Sequence, residues 1–458
     1  MGVPDFPASE ADAIKSSGFV DSLTGLGNRH RLREKFQKLA EERAEDPAPF
    51  TVALVNLDGF KPINDLFGQA AGDEILCQVA HRLKACMTGH ATVTRHDGDE
   101  FALILPMIFE SVSAERIGHL IKDVLSAPYD LGDRHVRLSA SLGLAIHPFA
   151  GADFTGLLKS AETALYRSKR RGRGQVTVYS TEIAQEMRRS TQIEQALRNA
   201  IINDMVDVHF QPIVSLEDER VLGFEALARW IDPDMGFVSP AIFVPLAEEQ
   251  GFIDMLSDTL LRKAAEAAVT WPRDLFLSFN LSSAQLTDMA TSSRILSILA
   301  NAGLPPSRLD LEITETAVIR SADMAGQIIA DLRQAGVRIS LDDFGTGQSS
   351  LGRLREFTFD KVKIDRAFVS ALSTDKTTEH IIKAIITMCD SLNLDVVAEG
   401  IENAEEAERL AAMGCGMGQG YYFGKPIDAM ATLRYLKRNY RETVYPGTST
   451  RGFSSFIN

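Results

Sequence analysis

Apolar and polar positions follow two different rhythms along the two halves of the chain. In the first half, apolar runs such as FTVALVNLD alternate with stretches such as GDEILCQVAHRLKACM, whose apolar positions recur at helical spacing. ATVTRHDGDEFALILP predicts a hairpin, because Asp97-Gly98 between β-rich runs suits a primed two-residue turn. LLKSAETALYRSKRRG predicts a helix that ends at Gly172. This order of elements predicts an α+β domain.

A polar, helix-favouring segment without glycine or proline follows this domain, and we place the domain junction inside it. The tail of the chain is polar and rich in Gly, Ser and Thr, which predicts flexibility. The predicted organisation is an N-terminal segment, an α+β domain, a helical connector, a second domain and a flexible tail, at residues 1–18, 19–178, 179–192, 193–440 and 441–458.

The second half repeats one unit: a short apolar run, a polar residue at its end, and then a helix. The runs are LGFEALARW, LFLSFNLS, RLDLEITET, VRISLDDFG, DKVKID, LDVVAEG and GQGYYFGKP. Strands alternating with helices over about 250 residues predict a (β/α)8 barrel, whose functional side chains lie at the C-terminal strand ends. A doubly wound open sheet is the alternative. No G-x-G-x-x-G follows the first strand, which weighs against a dinucleotide-binding fold.

The strand ends carry side chains of one chemical kind. They are Glu225, Asn280, Glu312, Asp342, Asp343, Lys363, Glu399 and Gln419. In a closed barrel these side chains would converge, and the carboxylates would repel one another unless cations neutralised them. Carboxylate and amide oxygens favour Mg²⁺ or Mn²⁺ over Zn²⁺. Two such ions suit hydrolysis of a phosphodiester. Proton abstraction next to a carboxylate, with a metal-stabilised enolate, is an equally open reading of the spacing.

Ordered motifs in this half resemble the EAL-domain phosphodiesterases. They are EALARW, NLS, LEITET, DDFGTG, KVKID, VAEGIE and QGYYF, within residues 193–440. The resemblance implies a TIM-like barrel that hydrolyses cyclic di-GMP to linear pGpG with two Mg²⁺ or Mn²⁺ ions.

The same resemblance implies a role for each matching residue. It assigns one metal to Glu225, Asn280, Glu312 and Asp342, and the second to Asp342, Asp343 and Glu399. It implies that Lys363 contacts the catalytic water and that Gln419 supports the water or the ligands around it. It also implies that Glu315 stabilises the DDFGTG loop. Gln211 and Arg229 would contact the substrate, and Arg229 offers a bidentate fork to phosphate.

The first half resembles the GGDEF diguanylate cyclase domain through DSLTGLGNRH, NLDGFKPINDLFG, RHDGDEF and ALYRSKRRGRGQV. That resemblance implies a palm-like fold that binds GTP and Mg²⁺. Asn56 stands where the family has a metal-binding Asp, and Asp97 replaces the first glycine of the signature. Both changes weaken the metal arrangement that cyclisation needs. We therefore expect a degenerate domain that does not make cyclic di-GMP.

Residues that hold the nucleotide are better preserved. Asn64 and Asp73 match the guanine contacts, and Asp99 remains from the metal-binding pair. Lys169 and Arg173 match phosphate contacts and are predicted to share a helix face. Taken alone, they would fit an ordinary solvated helix end, but the accompanying motifs favour the phosphate contacts. GTP is therefore expected to bind and to act as an effector of the hydrolase.

Composition and charge narrow the partners. The net charge of −14 disfavours nucleic acid and anionic membranes. The four cysteines form no C-x-x-C pair, and the first residues lack a signal-peptide pattern, so we expect a cytoplasmic protein with reduced thiols. By resemblance we expect a homodimer. Two alternatives remain: a bifunctional cyclase and phosphodiesterase, or a non-catalytic cyclic di-GMP receptor.

Overall fold

The computed structural model describes residues 18–42, 49–87, 91–132, 134–314, 317, 322–344, 357–372 and 375–440. The chain divides into two compact units between Thr191 and Gln192. The helices of the first unit are α1 Arg29–Glu42, α2 Phe60–Phe67, α3 Gln69–Cys86, α4 Ser111–Ser126, α5 Phe154–Arg170 and α6 Thr181–Ile202, which includes the division. Its strands are β1 Phe50–Asp58, β2 Thr92–Asp97, β3 Glu100–Leu105, β4 Tyr129–Asp130, β5 His135–Val136, β6 Ser139–His147 and β7 Val176–Val178.

The first unit is a five-stranded sheet in the order β2-β3-β1-β6-β7 with helices on both faces. Every residue of the central strand β1 is buried. Alternate side chains of β1 enter two separate cores: Ala53 and Val55 on one face, and Val52 and Leu54 on the other. This period-two alternation follows from strand geometry. It explains why the strand reads as a continuous apolar run.

Two local predictions for the first unit were wrong. The hairpin turn is formed by Gly98 and Asp99 rather than by Asp97-Gly98, since Asp97 pairs with Glu100 in the ladder and Gly98 has φ +44°. Glycine tolerates this left-handed value without steric cost.

The second correction concerns Arg173. Helix α5 ends at Arg170, and Arg173 lies beyond Gly172 with φ +56°, so it does not share a helix face with Lys169.

The second unit is a closed barrel. Its strands are β8 Val206–Ser215, β9 Val221–Asp232, β10 Gly236–Val238, β11 Phe276–Asn280, β12 Leu309–Thr314, β13 Arg338–Phe344, β14 Lys361–Ile364, β15 Asp395–Ala398 and β16 Met417–Gln419. Its helices are α7 Pro240–Glu249, α8 Ile253–Val269, α9 Thr291–Ala302, α10 Ala322–Gln334, α11 Arg366–Ala371, α12 Lys376–Ser391, α13 Ala404–Ala412 and α14 Ala429–Asn439.

Eight strands close the barrel in the order β9-β11-β12-β13-β14-β15-β16-β8, and β8 pairs back with β9. The predicted TIM-like fold class is confirmed. However, β8 is absent from the predicted strand runs, and it runs antiparallel to both of its neighbours. Along the described part of the chain, no helix has the length and apolar character needed to cross a bilayer.

Candidate active site

Lys363 lies at the centre of a cage of carboxylates at the C-terminal mouth of the barrel. Its ammonium Nζ is 2.5 Å from Glu399 Oε1 and 2.6 Å from Glu312 Oε1. Glu225 Oε1 and Asp342 Oδ1 are each 3.9 Å from the same nitrogen. Four of the five side chains lie on four different strands, Glu399 directly follows a fifth, and Lys363 is only 1% exposed. The strands are staggered, since Glu225 pairs with Ser278 and Glu312 pairs with Ser340, so carboxylates from successive ladder positions reach Lys363.

Amide side chains hold Glu225 in place within this cage. Asn280 Nδ2 donates to Glu225 Oε1 at 2.7 Å, and Gln419 Nε2 donates to Glu225 Oε2 at 2.6 Å. Gln419 Nε2 also lies 3.2 Å from Gln211 Oε1, which links the antiparallel strand β8 to the site. Gln211 in turn donates to the backbone carbonyl of Gly424 at 3.2 Å. Both oxygens of Glu225 therefore have defined partners.

Burial and mutual charge shift the pKa values of the cage. Burial raises the pKa of Glu399 to about 7, although the Lys363 ammonium opposes the shift. Burial also raises the pKa of Glu312 well above its usual value. The neighbouring carboxylates raise it further, and the Lys363 ammonium lowers it. Burial alone would raise the pKa of Glu225, but Lys363 and the two amide hydrogen bonds hold that pKa below its usual value. The surrounding carboxylates outweigh burial and raise the pKa of Lys363.

The donor atoms of the cage suit a hard divalent cation. Two buried oxygens, Glu312 Oε2 and Gln419 Oε1, accept no hydrogen bond from any residue that the structure describes. Buried polar atoms are rarely left without a partner. Within the same described ranges, no group of three or more acidic, histidine or cysteine side chains is placed to hold a metal ion. The carboxylates of the cage point instead to the Lys363 ammonium. The chemistry of the oxygens nevertheless fits Mg²⁺ or Mn²⁺.

A cavity of about 290 Å³ opens onto this cage. Its walls include Asp342, Lys363, Glu399, Glu225, Gln211 and Gln419, together with Leu227, Arg366, Gly400, Glu402, Gly420 and Tyr421. Sequence reasoning missed Arg366 and Glu402, which pair across the rim at 2.6 Å. Arg366 directly follows the motif KVKID, and Glu402 is the last residue of the motif VAEGIE, so membership of a motif or position next to one was the available signal.

Five predicted residues are not among the residues that line this cavity. Two of them, Asn280 and Glu312, belong to the cage itself through their contacts with Glu225 and Lys363. The other three are Asp343, Arg229 and Glu315. Asp343 follows Asp342 at an irregularity in β13, is exposed and has φ +56°. Burial and the Asp342 carboxylate raise the pKa of Asp343. Arg229 donates to the carbonyl of Ala228 at 2.8 Å. Glu315 lies outside the described residues.

The first unit holds a second cavity, of about 320 Å³, at the hairpin turn. It brings together Asn64, Asp73 and Asp99, three of the predicted nucleotide contacts. Phe60, Lys61, Gln69, Leu76, Arg95 and Gly98 complete its lining. Asn64 Oδ1 is buried and receives no hydrogen bond from the described part of the chain.

Lys169 and Arg173 are not among the lining residues of this second cavity. Lys169 Nζ instead lies 3.8 Å from Glu100 Oε1. Asn56, buried on β1, donates to the same oxygen at 3.4 Å. The neutral Asn56 therefore acts as a hydrogen-bond donor to Glu100 where a second acid would repel it.

Comparison with known proteins agrees with this two-part organisation. A family model described as EAL domain matches residues 194–426, and one described as diguanylate cyclase, GGDEF domain, matches residues 18–175. The chain therefore belongs to the EAL-domain family, and a GGDEF domain precedes its EAL domain.

Two curated relatives align with at least nine tenths of this chain. One is MucR of Pseudomonas aeruginosa, named as a bifunctional diguanylate cyclase/cyclic di-GMP phosphodiesterase; it is 34% identical over 90% of this chain and 61% of its own length. The other is the cyclic di-GMP phosphodiesterase PdeR of Escherichia coli, 33% identical over 92% of this chain and 63% of its own. This chain thus spans about three fifths of the length of each.

A solved structure described as the PaMucR phosphodiesterase in complex with c-di-GMP is similar to part of the chain. It has a TM-score of 0.51 and 36% identity, and it covers 53% of this chain and 99% of the matched chain.

Proposed function

We propose that the barrel hydrolyses cyclic di-GMP to linear pGpG with two Mg²⁺ or Mn²⁺ ions. The observation that carries the proposal is the cage of four strand-end carboxylates around the buried Lys363 ammonium, open to a cavity. The similarity to proteins named as cyclic di-GMP phosphodiesterases supports the choice of substrate.

The residues of the cage would have two roles in hydrolysis, metal binding and orientation of the attacking water. Glu225, Asn280, Glu312, Asp342 and Glu399 would hold the ions, with Asp343 as the further ligand assigned by family resemblance. Bound divalent ions supply Lewis acidity and lower the pKa of a coordinated water. Lys363 provides a fixed positive charge to orient that water and to stabilise charge on the phosphate oxygens. Water oxygen bonds to phosphorus, the bond from phosphorus to the 3′ oxygen breaks, and the water proton ends on that oxygen.

The substrate side of the cavity has two candidate contacts from the family resemblance. Gln211 lies on the wall, where its amide is held by Gln419 and by the carbonyl of Gly424. Arg229, on β9 four residues after Glu225, would offer its guanidinium to a phosphate of the substrate.

Chromatography of cyclic di-GMP incubated with the full chain tests the proposal. With Mn²⁺ or Mg²⁺ we expect pGpG, and with EDTA no product. Glu399→Gln should lower turnover at least a hundredfold, because it removes a negative charge from the cage, while Glu408→Gln on the exposed face of α13 should not. Unchanged cyclic di-GMP in every metal buffer, with tight binding, would favour the non-catalytic receptor instead.

A second function is supported by the cavity at the hairpin turn of the GGDEF domain. We infer that it binds GTP without cyclising it, and that GTP acts as an effector of hydrolysis. The unpartnered Asn64 Oδ1 and the nearby Asp73 carboxylate offer acceptors for the N–H groups of a guanine. Asn56 leaves the domain one acid short of the metal pair expected from the family.

Calorimetric titration with GTP tests this second function. Asp73→Ala should weaken GTP binding roughly tenfold to a hundredfold, as expected for loss of a charge-assisted hydrogen bond. Its exposed neighbour provides the control, and Glu74→Ala should bind GTP normally. A hydrolysis rate that stays constant up to saturating GTP would refute the effector role. Formation of cyclic di-GMP from GTP would show that the protein is bifunctional.

A further inference from the structure

Ser278 is a buried polar residue to which neither the sequence motifs nor the proposed hydrolysis assigns a role. It lies on β11 two residues before Asn280 and is 1% exposed. Its hydroxyl donates to Glu312 Oε1 at 2.6 Å, and Lys363 Nζ lies 2.6 Å from the same oxygen. Glu312 Oε1 therefore has two donors. Glu312 Oε2, in the same buried carboxylate, has none within the described residues.

We propose that Ser278 is a positioning residue that fixes the rotation of the Glu312 carboxylate and keeps Oε2 available to a divalent ion. The inference rests on the proposed function, in which Glu312 holds a metal. The last torsion of a glutamate side chain is soft and roughly two-fold, so one donor alone defines it poorly. Two donors from different strands, β11 and β14, hold Oε1 from two directions and leave Oε2 as the remaining acceptor.

The barrel supplies a closely matched comparison in Ser340. This serine lies on β13, is also 1% exposed, and pairs directly with Glu312 in the strand ladder. It nevertheless donates to Asp310 Oδ1, at the same distance of 2.6 Å. Asp310 is the partner of Lys361 in the layer below the cage. Removing the Ser340 hydroxyl therefore costs a buried hydrogen bond of the same kind without releasing Glu312.

Electron paramagnetic resonance of Mn²⁺ titrated into the metal-free full chain, without substrate, tests the assignment. We expect Ser278→Ala to weaken Mn²⁺ binding roughly tenfold, a typical effect of removing a partner that orients a metal ligand. Ser340→Ala should bind Mn²⁺ like the wild type. In kinetics, Ser278→Ala should need more Mn²⁺ for half-maximal turnover, with the KM for cyclic di-GMP unchanged at saturating metal.

Three outcomes would overturn the assignment. If Ser278→Ala binds Mn²⁺ as the wild type does, while the wild type hydrolyses cyclic di-GMP, the positioning role alone fails. If both serine variants lose affinity equally, general loosening of the barrel explains the result, and Ser278 has no special role. If the wild type neither binds Mn²⁺ nor hydrolyses the dinucleotide, the proposed function fails and this inference fails with it.

Discussion

Two lysines on β14 allow the cation site to be tested through stability. Lys361 and Lys363 are two residues apart, and both are buried, at 2% and 1% exposure. Lys361 pairs with Asp310, whereas Lys363 lies within 4 Å of four carboxylates. Breaking a buried ion pair by removing one partner typically costs about 3–5 kcal/mol. We therefore expect Lys361→Met and Lys363→Met each to lower the unfolding free energy of the metal-free protein by about that amount.

Mn²⁺ should separate the two variants. At a hundred times its dissociation constant the ion adds about 2.7 kcal/mol to the wild type, and it should add the same to Lys361→Met. It should add more to Lys363→Met, because that variant leaves the carboxylates without their competing ammonium. The deficit relative to the wild type should then narrow for Lys363→Met and stay constant for Lys361→Met.

Urea unfolding followed by tryptophan fluorescence measures this in the barrel alone. The chain has two tryptophans, Trp230 and Trp271, and both are buried in the second unit. At pH 8, where the carboxyls of the cage are least protonated, the contrast should be greatest. If Mn²⁺ leaves the deficit in unfolding free energy unchanged in Lys363→Met, as it should in Lys361→Met, a cation site at Lys363 is refuted. A loss of unfolding free energy below about 1 kcal/mol for Lys363→Met would also refute it.

Three further predictions follow from the same geometry. Burial raises the pKa values of Glu399 and Glu312, so the folded metal-free protein binds more protons than the unfolded chain. The free energy of unfolding should therefore fall from pH 6 to pH 8, and a urea midpoint that does not change with pH would contradict this. Gln419→Met removes the donor to Glu225 Oε2 and should lower kcat by roughly tenfold to a hundredfold, and unchanged turnover would rule out that role. Asn56→Asp should strengthen GTP binding in the presence of Mg²⁺ but not in the presence of EDTA. If calorimetry gives the variant and the wild type equal GTP affinities with Mg²⁺, this position does not face the metal.

The strand-end residues of the barrel were predictable because parallel strands present their C-terminal ends at one mouth. Glu225, Glu312, Asp342 and Glu399 each follow an apolar run, and the structure brings them around Lys363. Ser278 could also have been predicted to face the site, since residues two apart on a strand share a face and Asn280 was already identified. Its acceptor was not predictable, because in the ladder Ser278 pairs with Asp310 rather than with Glu312.

Other features depended on contacts that no local pattern reveals. Strand β8 contains Gln211-Pro212, and proline is atypical of a central strand, so the run did not resemble its neighbours. Asp342 and Asp343 look equivalent in sequence, but adjacent strand residues face opposite sides, and here one lines the cavity. Arg173 was placed on a helix that stops before Gly172. The homodimer, the cytoplasmic location and the roles of individual site residues stay predictions.

Hydrolysis of cyclic di-GMP in oxygen-18-labelled water, with Mn²⁺ and the full chain, tests the central claim most directly. The account predicts pGpG that carries one labelled oxygen on its terminal phosphate, and loss of this product in Lys363→Met. Intact cyclic di-GMP, or a linear product without the label, would contradict attack by water at the carboxylate cage.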